Sequence, residues 1–339
     1  MIRFENDYTR GAHPRILERL LTTNKTQTAG YSVDPYCESA TELIKKVCVV
    51  KDADVHFFVG GTITNLTIIS SILRPHQAVL SAITGHIATS ETGAIEACGH
   101  KVITIPTQTG KITARQIREL LSVPKIVHQP QPGMIFISQS TELGGVYTKA
   151  ELLAIKNVAN EFGLPVFIDG ARLGYALVSS ECDVTLADIA KLCDVFYIGG
   201  TKVGALFGEA AVIVNDKLKC EFRYIMKQRG ALLAKGRLLG VQFEEFFRDG
   251  LYYEVANHAV GLAMKIKAAL QEVGISLKYP ASTNQLFIKF TDAQFVKLSQ
   301  KYTLMPWAKE NGLTVARLCT DWSTCPADVE ALIKDIKML

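Results

Sequence analysis

No apolar run in the 339 residues approaches the ~20 that a membrane-spanning helix needs. No Cys-x-x-Cys pair occurs among the eight cysteines (Cys37, Cys48, Cys98, Cys182, Cys193, Cys220, Cys319 and Cys325). Neither a zinc framework nor a disulfide scaffold is written into their spacing, and reduced thiols are expected. No charge dominates: 37 basic and 33 acidic residues leave a net charge of +4. The basic residues are scattered and not interleaved with aromatics, which argues against a nucleic-acid groove. There is no internal repeat and no low-complexity segment. The opening residues Met1-Ile2-Arg3-Phe4-Glu5-Asn6-Asp7 lack an apolar signal core. The expectation is a cytoplasmic protein with neither membrane nor nucleic acid as partner. The seven histidines show no metal-ligand spacing, and no metal is expected.

What is present is ordinary globular composition, 48% hydrophobic and 21% charged. The length suggests about two domains. After a polar arm of about 50 residues, short apolar runs alternate with helical patterns. The runs lie at Val55–Val59, Ala78–Ile83, Lys101–Ile105, Met134–Ser138, Pro165–Asp169, Asp194–Ile198 and Ala211–Val214. The helical patterns fall at Thr62–Leu73, Thr113–Leu121, Thr148–Phe162 and Asp216–Lys227. Strands alternating with helices predict an α/β fold, a mostly parallel sheet flanked by helices. Longer helical patterns at Ala231–Arg248 and Tyr252–Val273 lead into a mixed segment, with strands at Gln285–Phe290 and Leu313–Leu318 and helices at Asp292–Gln300 and Pro326–Lys337. That pattern predicts a smaller C-terminal α+β domain. The division expected is 1–50 for an arm and a helix (Glu38–Val47) that contribute to the active site and interface, 51–245 for the large domain and 246–339 for the small one.

Three segments carry chemistry. Phe58-Val59-Gly60-Gly61-Thr62 ends a strand, turns on two glycines and opens a helix. Free N–H groups at such a terminus suit a phosphate, although the same residues also make a plain tight turn with a Thr cap. It is neither a Walker loop nor a dinucleotide fingerprint. Asp169, in Val166-Phe167-Ile168-Asp169-Gly170-Ala171-Arg172, ends an apolar strand where α/β sheets bind ligands. It can face a protonated heterocycle nitrogen, or pair internally with Arg172. Lys202 follows another apolar strand in Gly199-Gly200-Thr201-Lys202, where a depressed proton affinity would let its amine condense with an aldehyde. A phosphate, a ring nitrogen and an aldehyde are the three handles of pyridoxal 5'-phosphate (PLP). The ordered trio therefore points to that cofactor.

The chain resembles the low-specificity threonine aldolases and β-eliminating lyases of the aspartate-aminotransferase-like (fold type I) PLP enzymes. The resemblance covers most of the chain, best over about residues 55–215. It rests on Gly61-Thr62-Ile63-Thr64-Asn65, His86-Ile87-Ala88-Thr89-Ser90-Glu91-Thr92-Gly93, Asp169-Gly170-Ala171-Arg172 and Lys202. It implies that Gly60, Gly61, Thr62 and Thr201 hold the phosphate. His86 would stack on the ring and accept the substrate hydroxyl proton, and His128, matching a second family histidine, would be another base. Arg172 and Arg317 would grip the substrate carboxylate. Asn6 stands where the family carries a substrate-binding serine, and Lys235 lies where the family has an arginine near a neighbour's phosphate. A homodimer or homotetramer is implied, with Tyr31, Val33 and Tyr36 available to cover a partner. The expected activity is retro-aldol cleavage of β-hydroxy-α-amino acids to glycine and an aldehyde. The alternatives are a PLP-dependent β-eliminating lyase, which the altered substrate-facing motifs keep open, and a phosphate-binding α/β protein without PLP.

Overall fold

The computed structural model describes residues 1–124 and 126–339. Its centre is a seven-stranded sheet ordered β1-β7-β6-β5-β4-β2-β3. The strands are β1 (Asp54–Phe58), β2 (Gln77–Ala82), β3 (Lys101–Ile105), β4 (Gln131–Ser138), β5 (Val166–Asp169), β6 (Val195–Gly199) and β7 (Glu209–Ile213). The pairs β3–β2, β2–β4, β4–β5 and β5–β6 are parallel. β7 alone runs antiparallel to both its neighbours, β1 and β6. Residues 200–208 are too few for the crossover that a parallel pair requires, so the chain turns back on itself there.

Every residue of β5, β6 and β7 is buried. This is why these strands read as unbroken apolar runs rather than alternating ones. Alternation reappears in where the side chains go. Leu80, Ile135, Ile168, Phe196, Ile198 and Val212 enter one core. Their neighbours Val79, Met134, Phe167, Val195, Tyr197 and Ala211 enter the other. Helices α2 (Pro35–Cys48), α4 (Lys149–Phe162) and α5 (Arg237–Arg248) supply Ile44, Leu152 and Phe243 to the first core. Helix α3 (Gly61–Ile72) supplies Ile68 and Ile69 to the second.

The helix limits follow capping chemistry. Asp34 accepts the Tyr36 and Cys37 N–H groups at the start of α2, with Pro35 at its first position. Thr148 and Glu151 form a reciprocal box at the start of α4, and Gly163 (φ 67°) ends it. Two helical expectations were too long. Residues 231–236 form a turn and α5 starts at Arg237, while the 216–227 stretch divides into a 3₁₀ turn (Asp216–Leu218) and a helix (Phe222–Gln228) because Glu221 adopts φ 56°. Helix α1 (Pro14–Thr23), within the stretch that reads as a polar arm, packs on α5.

Helix α6 (Leu251–Glu272) joins two cores. Its first half buries Tyr252, Val255 and Ala256 in the large core, and its second half buries Leu262, Ile266 and Leu270 in a separate one. The second core is closed by an antiparallel sheet, β9-β10-β8, formed by β8 (Gln285–Thr291), β9 (Met305–Glu310) and β10 (Leu313–Cys319). The first residues of the chain dock here as well: Ile2–Arg3 pairs parallel with Tyr302–Thr303, and Phe4 is buried among the C-terminal side chains. All eight cysteines are unbridged. No helix among the described residues is long and apolar enough to cross a membrane.

Candidate active site

The carboxyl ends of β1, β4, β5 and β6 and the start of antiparallel β7 open on one side of the sheet. There they enclose a cavity of ≈ 290 Å³. Gly60, Gly61, Thr62, His86, Asp169, Arg172, Thr201 and Lys202 line it together, with Tyr8, Ser138, Ser140, Glu142, Tyr197 and Glu209. Such a crevice outside the strand ends is where open α/β sheets bind ligands.

The glycine turn sits on top of α3. Gly60 is the N-cap and offers no side-chain acceptor, so the first N–H groups of the helix point outward unsatisfied. Thr62 lies inside the first turn, exposed, rather than capping it. Thr201 belongs to the facing turn, where its hydroxyl accepts the Gly208 N–H at 2.9 Å.

Asp169 is 3% exposed. Its Oδ1 accepts the Tyr197 hydroxyl at 2.5 Å and the Ala171 N–H at 2.9 Å, and its Oδ2 accepts the Asn65 amide at 3.1 Å. Burial pushes Tyr197 well up, so it stays protonated and donates. The Asn65 amide also donates to Glu91 at 2.8 Å, and Glu91 holds His86 Nδ1 at 2.7 Å. A buried chain His86–Glu91–Asn65–Asp169 thus links two of the expected groups. Gly170 must be glycine, because any Cβ there would collide with the Tyr197 carbonyl oxygen.

Arg172 does not pair with Asp169. Its Nε and Nη2 form a fork on Asp7 at 2.7 and 2.9 Å. Asn284 donates to the same carboxylate at 2.9 Å. Burial alone would raise the Asp7 carboxyl, but Arg172 beside it holds it below its ordinary range. Asp7, brought in by the docked N-terminus, is the residue sequence reasoning passed over. Its only signal was its place next to Asn6. Asn6 itself accepts the Tyr8 N–H and lines a neighbouring hollow with Thr9 and Asp328, while Tyr8 reaches the cleft in its place.

Lys202 is held through its backbone carbonyl, which accepts the Tyr175 hydroxyl at 2.5 Å. Burial lowers the proton affinity of its amine, and Arg172 lowers it further against the pull of Asp7, Asp169 and Glu209. Glu209, the first residue of β7, receives the Gly200 N–H at 3.0 Å, and burial raises its carboxyl to about 7. Glu142 receives the Ser138 hydroxyl at 2.7 Å and the His86 N–H at 3.0 Å, and burial raises its carboxyl too. Nothing in the sequence pattern singled out either glutamate.

Arg317 lies on β10, 8% exposed, with its guanidinium over Trp307 and Nη2 donating to the Glu5 carbonyl at 3.0 Å. Its buried Nε has no partner among the described residues. His128 is not brought to the cleft: it is exposed on the loop entering β4, at the opposite end of that strand from Ser138. Lys235 is exposed in the 231–236 turn, outside the cleft lining. Tyr36 is taken up within its own chain, between Arg19 and Arg237.

Residues 10–311 match the beta-eliminating lyase family. The chain is 30% identical over 342 residues to a low specificity L-threonine aldolase of a Pseudomonas species, covering 99% of this chain and 97% of that one. It is 25% identical over 261 residues to the low specificity L-threonine aldolase of Saccharomyces cerevisiae, covering 73% of this chain and 65% of that protein. Among solved structures, a Leishmania major threonine aldolase superposes with TM-score 0.98 at 44% identity, covering 100% of this chain and 99% of that one. An aspartate aminotransferase of Thermus thermophilus superposes with TM-score 0.73 at 14% identity, covering 100% and 91%, which speaks for the fold alone.

Proposed function

The chain belongs to the beta-eliminating lyase family, and from that premise and the cleft we propose that it is a PLP-dependent aldolase, cleaving β-hydroxy-α-amino acids of the threonine class to glycine and an aldehyde. The observation that carries the reading is the convergence, in one cavity, of the unsatisfied α3 N-terminus, buried Asp169 and the low-affinity amine of Lys202.

These residues fit PLP. The outward N–H groups after Gly60 suit a phosphate dianion. Asp169, buried and accepting three hydrogen bonds, is held rigidly where it can face a ring nitrogen. Lys202, whose amine burial makes easier to deprotonate, would hold the aldehyde carbon covalently. Bound there, PLP supplies an electron-accepting ring for the pair released from the Cα–Cβ bond. The rest falls to side chains. His86, held at Nδ1 by Glu91, lines the cleft, where its ring would stack on the cofactor. Arg172, aimed by Asp7, lines the cavity and would take the substrate carboxylate as a charge-assisted donor, with Arg317, which is outside the lining residues, as the second cation. Lys202, on the cavity wall, would also carry the proton that Cα gains.

The same reading includes a homo-oligomer, dimer or tetramer, with the exposed Tyr31 and Val33 facing a neighbour, and a cytoplasmic protein. Its support is the apolar exposure of that arm and the eight unbridged thiols. The test is to incubate purified protein with PLP, record the visible spectrum, and then measure glycine and acetaldehyde released from threonine. Equal release of both is expected. Pyruvate and ammonia from serine, with no aldehyde from threonine, would move the reading to β-elimination. A protein that never takes up PLP would overturn it.

A further inference from the structure

On the reading just given, the cleft needs a group that takes the proton of the substrate's β-hydroxyl as the Cα–Cβ bond opens. We propose that this group is Glu142, acting through its Oε2.

Position comes first. Glu142 follows β4, whose last residue Ser138 lies in register beside Asp169 on β5. Adjacent strands are about 4.8 Å apart, so the turn carrying Glu142 rises next to the ring-nitrogen acid. The turn is closed by three hydrogen bonds. Thr141 N–H donates to the Gly145 carbonyl at 2.8 Å, Gly144 N–H to the Thr141 carbonyl at 2.9 Å, and Gly145 N–H to the Thr141 hydroxyl at 2.9 Å. Gly144 takes φ 83°, a conformation other residues adopt only under strain. The carboxylate is therefore carried on a stiff support and lines the same cavity as Lys202, His86 and Thr201.

Its two oxygens are not equivalent. Oε1 receives both the Ser138 hydroxyl and the His86 N–H. Oε2 has no hydrogen-bond partner among the described residues, and it is not one of the buried orphan atoms, so it remains open to the cleft. One oxygen anchors and the other is free to react. Burial raises the proton affinity of Glu142 above that of an ordinary carboxyl and the charge of Asp169 adds to it, against the Ser138 hydroxyl and the backbone N–H groups of Glu142 and His86. His86 is placed differently: its Nδ1 is committed to Glu91 and, through Asn65, to Asp169. That chain of hydrogen bonds fixes the ring, as stacking on the cofactor would require.

The step balances. The hydroxyl O–H bond breaks and its proton passes to Oε2. The pair left on oxygen becomes the second bond of the aldehyde carbonyl as Cα–Cβ breaks, and the Cα–Cβ pair stays with Cα. Cα then gains one proton through Lys202, Glu142 gives the one it took to water as the aldehyde leaves, and Lys202 recovers its own from water, so no net proton is taken up or released.

Glu142→Gln in the PLP-loaded enzyme tests this, with wild type measured alongside. Threonine cleavage should lose about 100-fold or more in kcat, the low end of general-base contributions, with KM little changed. The acid limb of the wild-type kcat–pH profile should disappear in the variant. Exchange of the glycine α-proton with deuterated water involves no β-hydroxyl and should persist. PLP affinity, read by equilibrium dialysis, should also persist. Glu142→Asp should recover part of the loss. Cleavage at the wild-type rate by Glu142→Gln would overturn the assignment. So would a parallel loss of PLP affinity and glycine exchange, which would make Glu142 a structural support. If wild type binds PLP and exchanges glycine yet releases no aldehyde, the aldolase reading itself fails and this assignment with it.

Discussion

Asp7→Ala isolates the energetics of the cleft wall. Asp7 and Arg172 are both buried, at 2% and 9% exposure, and meet in a two-point fork at 2.7 and 2.9 Å. Removing one partner of such a pair leaves a buried cation uncompensated, which costs about 3–5 kcal/mol. In a chain of this length that corresponds to a fall in Tm of about 4–7 °C. Urea unfolding of the variant against wild type reads the same quantity directly. The pH dependence supplies an independent check. Arg172 holds the folded-state carboxyl of Asp7 below its unfolded value. Its stabilisation is therefore complete above about pH 5 and fades as pH falls through the folded value. The gap between wild type and Asp7→Ala should be widest at neutral pH and close on acidification. In the double variant Asp7→Ala/Arg172→Leu no buried charge is left alone, so much of the stability should return. Substrate affinity should not, because the carboxylate donor is gone. A single variant that unfolds at the wild-type urea concentration at pH 7 would refute the argument, since it would mean Arg172 finds water or another partner at no cost.

Tyr197→Phe deletes the 2.5 Å donor to Asp169. A hydrogen bond to a buried charge contributes about 1.5–3 kcal/mol, so PLP affinity by spectral titration should weaken by about 10- to 100-fold. Glu209→Gln removes a carboxyl that burial raises to about 7. Because the folded value lies above the unfolded one, the wild-type contribution is full below about pH 4 and is lost as pH rises toward 7. Urea midpoints at several pH values should show that downward slope flattened in the variant; an unchanged slope would show that Glu209 does not titrate as its burial implies. His128→Ala should leave kcat/KM for threonine unchanged, since that histidine is exposed at the far end of β4. A large loss would mean the loop before β4 reaches an active site after all.

The fold and half of the site were readable in the chain, for a common reason. Strand–turn–helix signals are local. An apolar run ending in Asp169-Gly170, another ending in Gly199-Gly200-Thr201-Lys202, and a third ending in Gly60-Gly61 each declare a strand end by their own residues. Sheet rules then bring parallel strand ends to one side. The same locality explains the errors. Helical periodicity predicted helices over Asp216–Lys227 and Ala231–Arg248, but the positive φ of Glu221 divides the first, and the second starts only at Arg237, after Gly236 has packed against Ser32.

The remainder depended on which distant residues meet. Asp7 and Arg172 are 165 positions apart, and Asp7 and Asn284 are 277 apart. That meeting exists only because Ile2–Arg3 pairs with Tyr302–Thr303 and carries the arm across the cleft. Tyr197 reads as a buried apolar residue until the β5–β6 pairing sets its hydroxyl on Asp169. Glu142 and Glu209 look like ordinary loop and strand-edge acids until the converging strand ends bury them beside Lys202. By itself the sequence determined the class of the sheet, the ends of its strands and the trio that matches the cofactor, because each is encoded within a few consecutive residues. Only the tertiary structure decided the charge partners, the free oxygen of Glu142 and the exclusion of His128, because burial and contact are properties of the assembled strands and not of any segment alone.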